Sequence, residues 1–366
     1  MKVVIAGGGT GGHLFPGIAL AEEVVTRHPS NDVLFVGTAR GIEARVVPQS
    51  GFKLELIDVT GVKGRGLKGL IGGLLRLPAA VLRCMTILRE YQADVVVGVG
   101  GYASFPMVFA GFLRGMPTAI QEQNALPGLT NRLLGKIART VFISFDEAAR
   151  FFPKDKVHNV GNPIRKALME NFLRPQEPHE RFRILIFGGS QGAHAINVAA
   201  IDAARKLAPM RDKLEILHQT GAADREFTRK GYADAGVRAE VVEFIDDMSR
   251  AYATSNLVIC RSGATTLSEL TVCKKAAILV PFPYAADNHQ EVNARSLVEK
   301  GAAVMIRQPE LDGERLASEI SSLMEDPSRL KKMERAAGLL GRPEAAKEIA
   351  DVCVNLVYRG REQGAG

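Results

Sequence analysis

The chain has 366 residues, 46% hydrophobic and 24% charged, with 37 Gly, 17 Pro, four Cys and no Trp. That composition excludes disordered, collagenous and low-complexity classes and leaves a soluble globular chain long enough for two domains. The net charge of +7 is uneven, since residues 1–162 carry 18 Lys and Arg against 12 Asp and Glu while residues 163–340 carry 25 against 24.

The apolar run KVVIA at the start is too short for a secretory signal, so a cytoplasmic protein is expected. It leads into Gly7–Gly12 and an Ala-rich helical stretch, and DVLFVG supplies the next strand. From Val59 to Arg89 there are six basic residues and no acid, with Leu70, Leu74, Leu75, Arg76 and Arg83 among an apolar and basic mixture. Such a segment is either an interfacial membrane contact or a core helix with a solvated basic face. Val95–Leu113 is 19 residues without a charge, near a bilayer-spanning length. Gly98, Gly100, Gly101 and Pro106 break it, which predicts a buried strand, a glycine turn and a helix instead.

TVFIS closes the strands of the first half, and RILIFGG, LEILHQTG, AEVVEF, NLVICRSG and AAILVPF follow in the second. Alternation of short β-branched runs with helical segments predicts an α/β fold of two Rossmann-like, doubly wound parallel sheets. The expected domains are residues 1–162, 163–340 and a C-terminal helix over 341–366 that packs back on the first domain. Ligands of such sheets bind at the C-terminal strand ends, which puts the expected active site in a cleft faced by both domains. Cys84, Cys260, Cys273 and Cys353 form no CxxC pair and no DxD triplet occurs, so neither a metal nor a disulfide framework is signalled.

Three glycine-rich loops stand at strand ends: Gly7–Gly12, Gly98–Ser104 and Gly188–Gly192, the last with the hydroxyl of Ser190. Each is either a phosphate cradle or a tight turn. A nicotinamide-dependent oxidoreductase would need an acid at the end of the second strand, where DVLFVG ends in Gly37-Thr38 and the nearest acid is Glu43. In RSGATTLSE, Glu269 is either an acceptor for a ribose diol or a capping carboxylate. His13 is either a general base, its unperturbed pKa lying near ~6.5, or a structural hydrogen-bonder. Glu122, Asn124 and Arg165 are further polar candidates, Arg165 for a leaving diphosphate or a hinge salt bridge. No aromatic interleaving accompanies the basic residues, which argues against nucleic acid.

GGGTGGHLFPGIALA, GGYASFP, EQNALPGLTNRLL, GNPIR, FGGSQGAHAIN and RSGATTLSEL together resemble, in order and spacing over about residues 1 to 340, the MurG family of N-acetylglucosaminyltransferases. The resemblance implies a GT-B fold and an inverting hexosyltransferase that converts lipid I to lipid II in peptidoglycan synthesis, using no cofactor. It implies a donor site for UDP-N-acetylglucosamine at Thr10, Gly11, Gly12, Asn124, Arg165, Ser190, Ile245, Ala264, Thr265, Thr266, Leu267, Ser268, Glu269 and Gln290. His13 or Glu122 would be the base, and Gly9, Gly101 and Tyr102 would meet the acceptor diphosphate. A peripheral place on the cytoplasmic face of the bacterial membrane is implied, against anionic lipid and with cell-wall or division proteins as partners. The competing readings are the oxidoreductase and a non-catalytic sugar-nucleotide-binding regulator.

Overall fold

A computed structural model describes residues 1–59, 66–173 and 179–364, with the side chains of 66–75 and 359–364 excepted. It divides the chain into two compact units, Met1–Lys166 with Pro343–Gly366, and Ala167–Arg342. The first runs β1 (Lys2–Gly7), α1 (Gly11–Arg27), β2 (Asp32–Gly37), α2 (Glu43–Gln49), β3 (Lys53–Leu56), α3 (Gly66–Tyr91), β4 (Val95–Gly100), α4 (Ser104–Leu113), β5 (Thr118–Glu122), α5 (Leu129–Ile137), β6 (Thr140–Ile143) and β7 (Val157–Asn159). The stretch without charge is thus a strand, a turn and a helix, as its glycines predict.

The second unit follows with α6 (Lys166–Phe172), β8 (Phe182–Phe187), α7 (His194–Lys206), β9 (Leu214–Gln219), α8 (Arg225–Asp234), β10 (Ala239–Val242), α9 (Met248–Thr254) and β11 (Leu257–Cys260). It ends with α10 (Ala264–Val272), β12 (Ala276–Leu279), α11 (His289–Glu299), β13 (Ala303–Met305), α12 (Gly313–Glu325) and α13 (Pro327–Leu340). A last helix, α14 (Ala345–Gly364), belongs to the first unit.

All strand pairings are parallel, in the orders β3-β2-β1-β4-β5-β6-β7 and β10-β9-β8-β11-β12-β13. Parallel strands need helical crossovers on the sheet faces, so the central strands are buried on both sides and read as unbroken apolar runs. β4 and β11 are wholly buried. In the first unit Met107, Leu88 and Leu134 cover one face of the sheet, and Leu14, Ile18, Ile349 and Cys353 cover the other. Each large apolar side chain so buried stabilises by about 1.5–3 kcal/mol. α14 is held on α1 by Arg27, which donates to Asp351 at 2.6 Å and to the carbonyl of Lys347 at 2.8 Å.

Both sheets reverse strand order next to their first strand, between β1 and β4 and between β8 and β11. The strand-to-helix loops at these reversals cannot cross each other and so leave crevices where ligands bind. Each crevice is lined by glycine loops that the sequence marks.

Candidate functional site

In the second unit the loop Gly188–Ala193 joins β8 to α7, and Arg261–Gly263 joins β11 to α10. Gly192 takes φ +73°, and a β-carbon there would fall on the carbonyl of Thr220, so a side chain would collide with backbone. Around these loops lies a pocket of about 640 Å³ lined by Gly189, Gly192, His194, Arg261, Thr266 and Gln290, among others. The N-termini of α7 and α10 both open on it. The first amides of a helix have no partner within it and carry about half a positive charge, so two such ends with one guanidinium form an anion seat. Burial lowers the pKa of Arg261, whose guanidinium is fixed by the carbonyls of Val280 and Pro281 and by Gln308 Oε1 at 2.7 Å.

Two buried side chains organise this region. Gln219, 3% exposed, donates to the carbonyl of Gly189 at 2.9 Å and accepts the N–H of Ile245 at 2.9 Å. Ile245 itself lines a second cavity with Phe244 and Asp246. The phenol of Tyr252, fully buried, donates to Glu269 Oε2 at 2.9 Å. That bond orients a half-buried carboxylate one turn into α10, where an adjacent pair of hydroxyls can be accepted.

Several of the expected donor-site groups have part of their hydrogen-bonding capacity engaged within the unit. The N–H of Ile245 is committed to Gln219, so its carbonyl is what remains for a base edge. Leu267 is 1% exposed and its N–H donates within the helix turn to Gly263, which removes both groups from a ligand. The hydroxyl of Ser268 donates back to the carbonyl of Ala264. Gln290 gives its Oε1 to the N–H of Phe282 at 3.0 Å, so its NH2 group is what it can offer. Ser190 is exposed on the loop, while Ala264 is buried and Thr265 half-buried in the first turn of α10.

In the first unit Thr10, Gly11 and Gly12 open α1, and Thr10 Oγ1 lies 3.2 Å from His13 Nδ1. Gly100, at φ +93°, leaves room for the imidazole, whose Cδ2 would stand 2.6 Å from a β-carbon. Gly101 and the exposed Tyr102 flank it. Arg165 is exposed, stacks at 5.2 Å over Phe15 of α1 and attracts Glu22.

Two of the expected site groups have their hydrogen-bonding capacity engaged within the unit. Gly9 donates its N–H at 2.7 Å to Glu43 Oε2, and Glu43 Oε1 accepts the N–H and hydroxyl of Thr38, so Gly9 has no amide to give an acceptor diphosphate. A buried carboxylate under the loop also repels an anion, which the neutral Gln219 under the other loop does not. The same burial withdraws Glu43 from any ribose and removes the oxidoreductase reading. Glu122 is 2% exposed and accepts from Asn124 N, Asn124 Nδ2, Gly128 N and Asn131 Nδ2 at 2.9–3.3 Å. Desolvation raises its pKa against those bonds. Its oxygens brace the turn that carries Asn124, each accepting two hydrogen bonds from within the unit.

On the face of the first sheet covered by α3, α4 and α5, Leu82, Phe112, Leu113, Leu129 and Leu133 are exposed. Arg76 pairs with Asp58 at 3.5 Å and Arg83 with Glu55 at 3.1 Å, both in water, where such pairs contribute little. The side chains of Leu70, Leu74 and Leu75 lie outside the described residues, as do Lys63 and Arg65. No described helix is long and apolar enough to cross a membrane.

Residues 3–143 match the glycosyltransferase family 28 N-terminal domain and residues 183–349 the glycosyltransferase family 28 C-terminal domain. The UDP-N-acetylglucosamine--N-acetylmuramyl-(pentapeptide) pyrophosphoryl-undecaprenol N-acetylglucosamine transferase of Myxococcus xanthus is 62% identical over 99% of this chain and 96% of its own length. The enzyme of the same name from Geobacter sp. strain M21 is 51% identical, over 97% of this chain and 96% of its own. Among solved structures, Acinetobacter baumannii MurG superposes with a TM-score of 0.81 at 31% identity, over 97% of this chain and 99% of that one. The chain therefore belongs to glycosyltransferase family 28, as a member of its MurG branch with the α/β build of the GT-B fold.

Proposed function

We propose that this chain transfers N-acetylglucosamine from UDP-N-acetylglucosamine to the 4-hydroxyl of the muramyl sugar of undecaprenyl-diphosphate-linked lipid I, making the β-1,4 link of lipid II. The observation that carries the reading is the pocket of about 640 Å³ in the second unit, lined by two helix N-termini and Arg261. Glu269, held by Tyr252, stands one turn into α10 to accept a ribose diol. The names of relatives at 51–62% identity supply both substrates.

In the proposed step the acceptor oxygen bonds to the anomeric carbon as the bond from that carbon to the β-phosphate oxygen breaks. Direct displacement inverts the α-linked donor. The acceptor proton passes to His13 and the electron pair leaves with UDP. The two helix N-termini then face the charge that grows on the diphosphate. His13 serves as base in the tautomer whose Nδ1–H donates to Thr10 Oγ1, because Nε2 then carries the lone pair. Gly101 and Tyr102 are assigned to the acceptor, and the α3–α5 face to a peripheral contact with the cytoplasmic leaflet.

The test is release of UDP from UDP-N-acetylglucosamine by purified protein with and without a lipid-diphosphate muramyl acceptor. Release only with acceptor, and poor use of UDP-glucose, is the expected result. Equal release without acceptor, or no affinity for UDP, sinks the reading.

A further inference from the structure

A run of hydrogen-bonded side chains that the proposed step does not use leads from the core of the second unit to the rim of its pocket. Tyr232 and His218 are buried, and the phenol lies 2.8 Å from His218 Nδ1. His218 Nε2 lies 3.0 Å from Asn197 Oδ1, which only accepts, so Nε2 carries the proton and Tyr232 donates to Nδ1. Burial drops the pKa of His218 to about 3, which keeps the ring neutral. Asn197 Nδ2 spends its two hydrogens on the carbonyl of Thr220 at 3.1 Å and on Asp224 Oδ2 at 2.7 Å. That same carboxylate oxygen sits 2.8 Å from Nδ1 of His194, the first residue of α7. His194 is 72% exposed against 18% for Asp224, and it lines the pocket with Gly189 and Thr266.

Helix stability does not account for His194, because a ring able to take a positive charge is unfavourable at a helix N-terminus. We propose that His194 is a binding residue for the diphosphate of the donor, aimed into the pocket by Asp224, Asn197, His218 and Tyr232 as positioning residues. The inference rests on the nucleotide-sugar reading of this pocket. A carboxylate only accepts, so Asp224 takes the Nδ1–H and the ring turns Nε2 to the ligand. Beside a diphosphate Nε2 donates as imidazolium, a charge-assisted bond.

Charged groups of the elements packed near α7 and of the pocket are already engaged. On α8 Arg225 is paired with Glu243 and Glu226 with Arg229, on α12 Glu314 holds Lys206 and Glu319 holds Arg315, and Arg261 is bonded to Gln308. Asp224 alone among them contacts the imidazole.

Calorimetric titration of the full chain with UDP-N-acetylglucosamine and, separately, with uridine tests this. His194→Gln and Asp224→Asn are expected to weaken the sugar nucleotide about five- to tenfold and leave uridine unchanged. Sugar-nucleotide affinity within twofold of wild type in His194→Gln, or an equal loss for uridine, would overturn the assignment. A wild-type protein that binds the sugar nucleotide but transfers nothing fails the function reading and leaves this comparison decided by the same titrations.

Discussion

Glu122 ends β5 while Glu269 lies inside α10, and their surroundings suit them to opposite tasks. One oxygen of Glu269 is fixed by Tyr252 and the carboxylate is half-buried, whereas all of Glu122 is enclosed by four donors. If Glu269 accepts the ribose diol, wild-type protein prefers UDP to 2′-deoxy-UDP and Glu269→Ala does not. Tyr252→Phe removes one bond worth about 0.5–1.5 kcal/mol and should reduce the same preference only in part. Competition titrations with the two nucleotides read this directly, and a preference that survives Glu269→Ala would count against the diol assignment. Replacing Glu122 by Gln turns one acceptor into a donor facing other donors, at a cost of about 1–3 kcal/mol. Thermal unfolding should then fall by about 2–4 °C for each kcal/mol lost. His13→Gln should leave the melting temperature alone and abolish turnover. Normal stability with lost turnover in Glu122→Gln would restore Glu122 as a candidate base. Neither Tyr252 nor Gln219 nor the bracing role of Glu43 was legible in the sequence. Their contacts span 17, 30 and 34 residues and carry no local signal.

Elements were more legible than contacts, and the omissions share a cause. Nine of the strands announce themselves as apolar β-branched runs, because a central parallel strand is buried on both faces. Four were not read as strands. β7 and β13 have three residues each at sheet edges, β3 is a half-exposed KLEL, and β5 is a fully buried TAIQE whose Gln121 and Glu122 read as site polarity. The start of α11 is a further element-scale feature, since Asp287 and Asn288 both adopt φ +54° before it. Glu291 in its first turn accepts from Asn288, Arg295 and Arg307, and these bonds hold its pKa down to about 2. A depressed carboxylate contributes stability that is fully present above its unfolded value, about 4.3, and is lost as pH falls through the folded value. Melting temperature measured from about pH 5 to about pH 2.5 should therefore fall more steeply in wild type than in Glu291→Gln. Parallel slopes would show that the network adds nothing to acid stability.

At the scale of the whole molecule, the paired α/β rhythm and the three glycine loops were readable from periodicity alone, while the surface each unit turns to its surroundings was not. The excess of positive charge lies in residues 1–162. On the α3–α5 face Leu129 and Leu133 recur at one helical turn on α5 with 70% and 45% exposure, and Phe112 and Leu113 close α4 beside them. Exposed leucines singly are ordinary, but five large apolar side chains on adjoining helices, in a unit with an excess of positive charge, suit an interface with anionic lipid, to which basic residues not paired with an acid add about 1 kcal/mol each. Attraction of that kind is screened within about 10 Å at 0.1 M salt. Co-sedimentation with vesicles rich in anionic lipid should weaken as salt rises and should drop further for Leu129→Ser with Leu133→Ser. Turnover of a soluble short-chain acceptor should be unaffected, because neither residue lies near His13 or the nucleotide pocket in sequence or within its own unit's glycine loops. Replacing Leu74 and Leu75 by Ser should act in the same direction if α3 shares the contact. Undiminished binding of both double variants to anionic vesicles would exclude this face as the membrane surface and leave the charge excess of the first unit without a lipid partner.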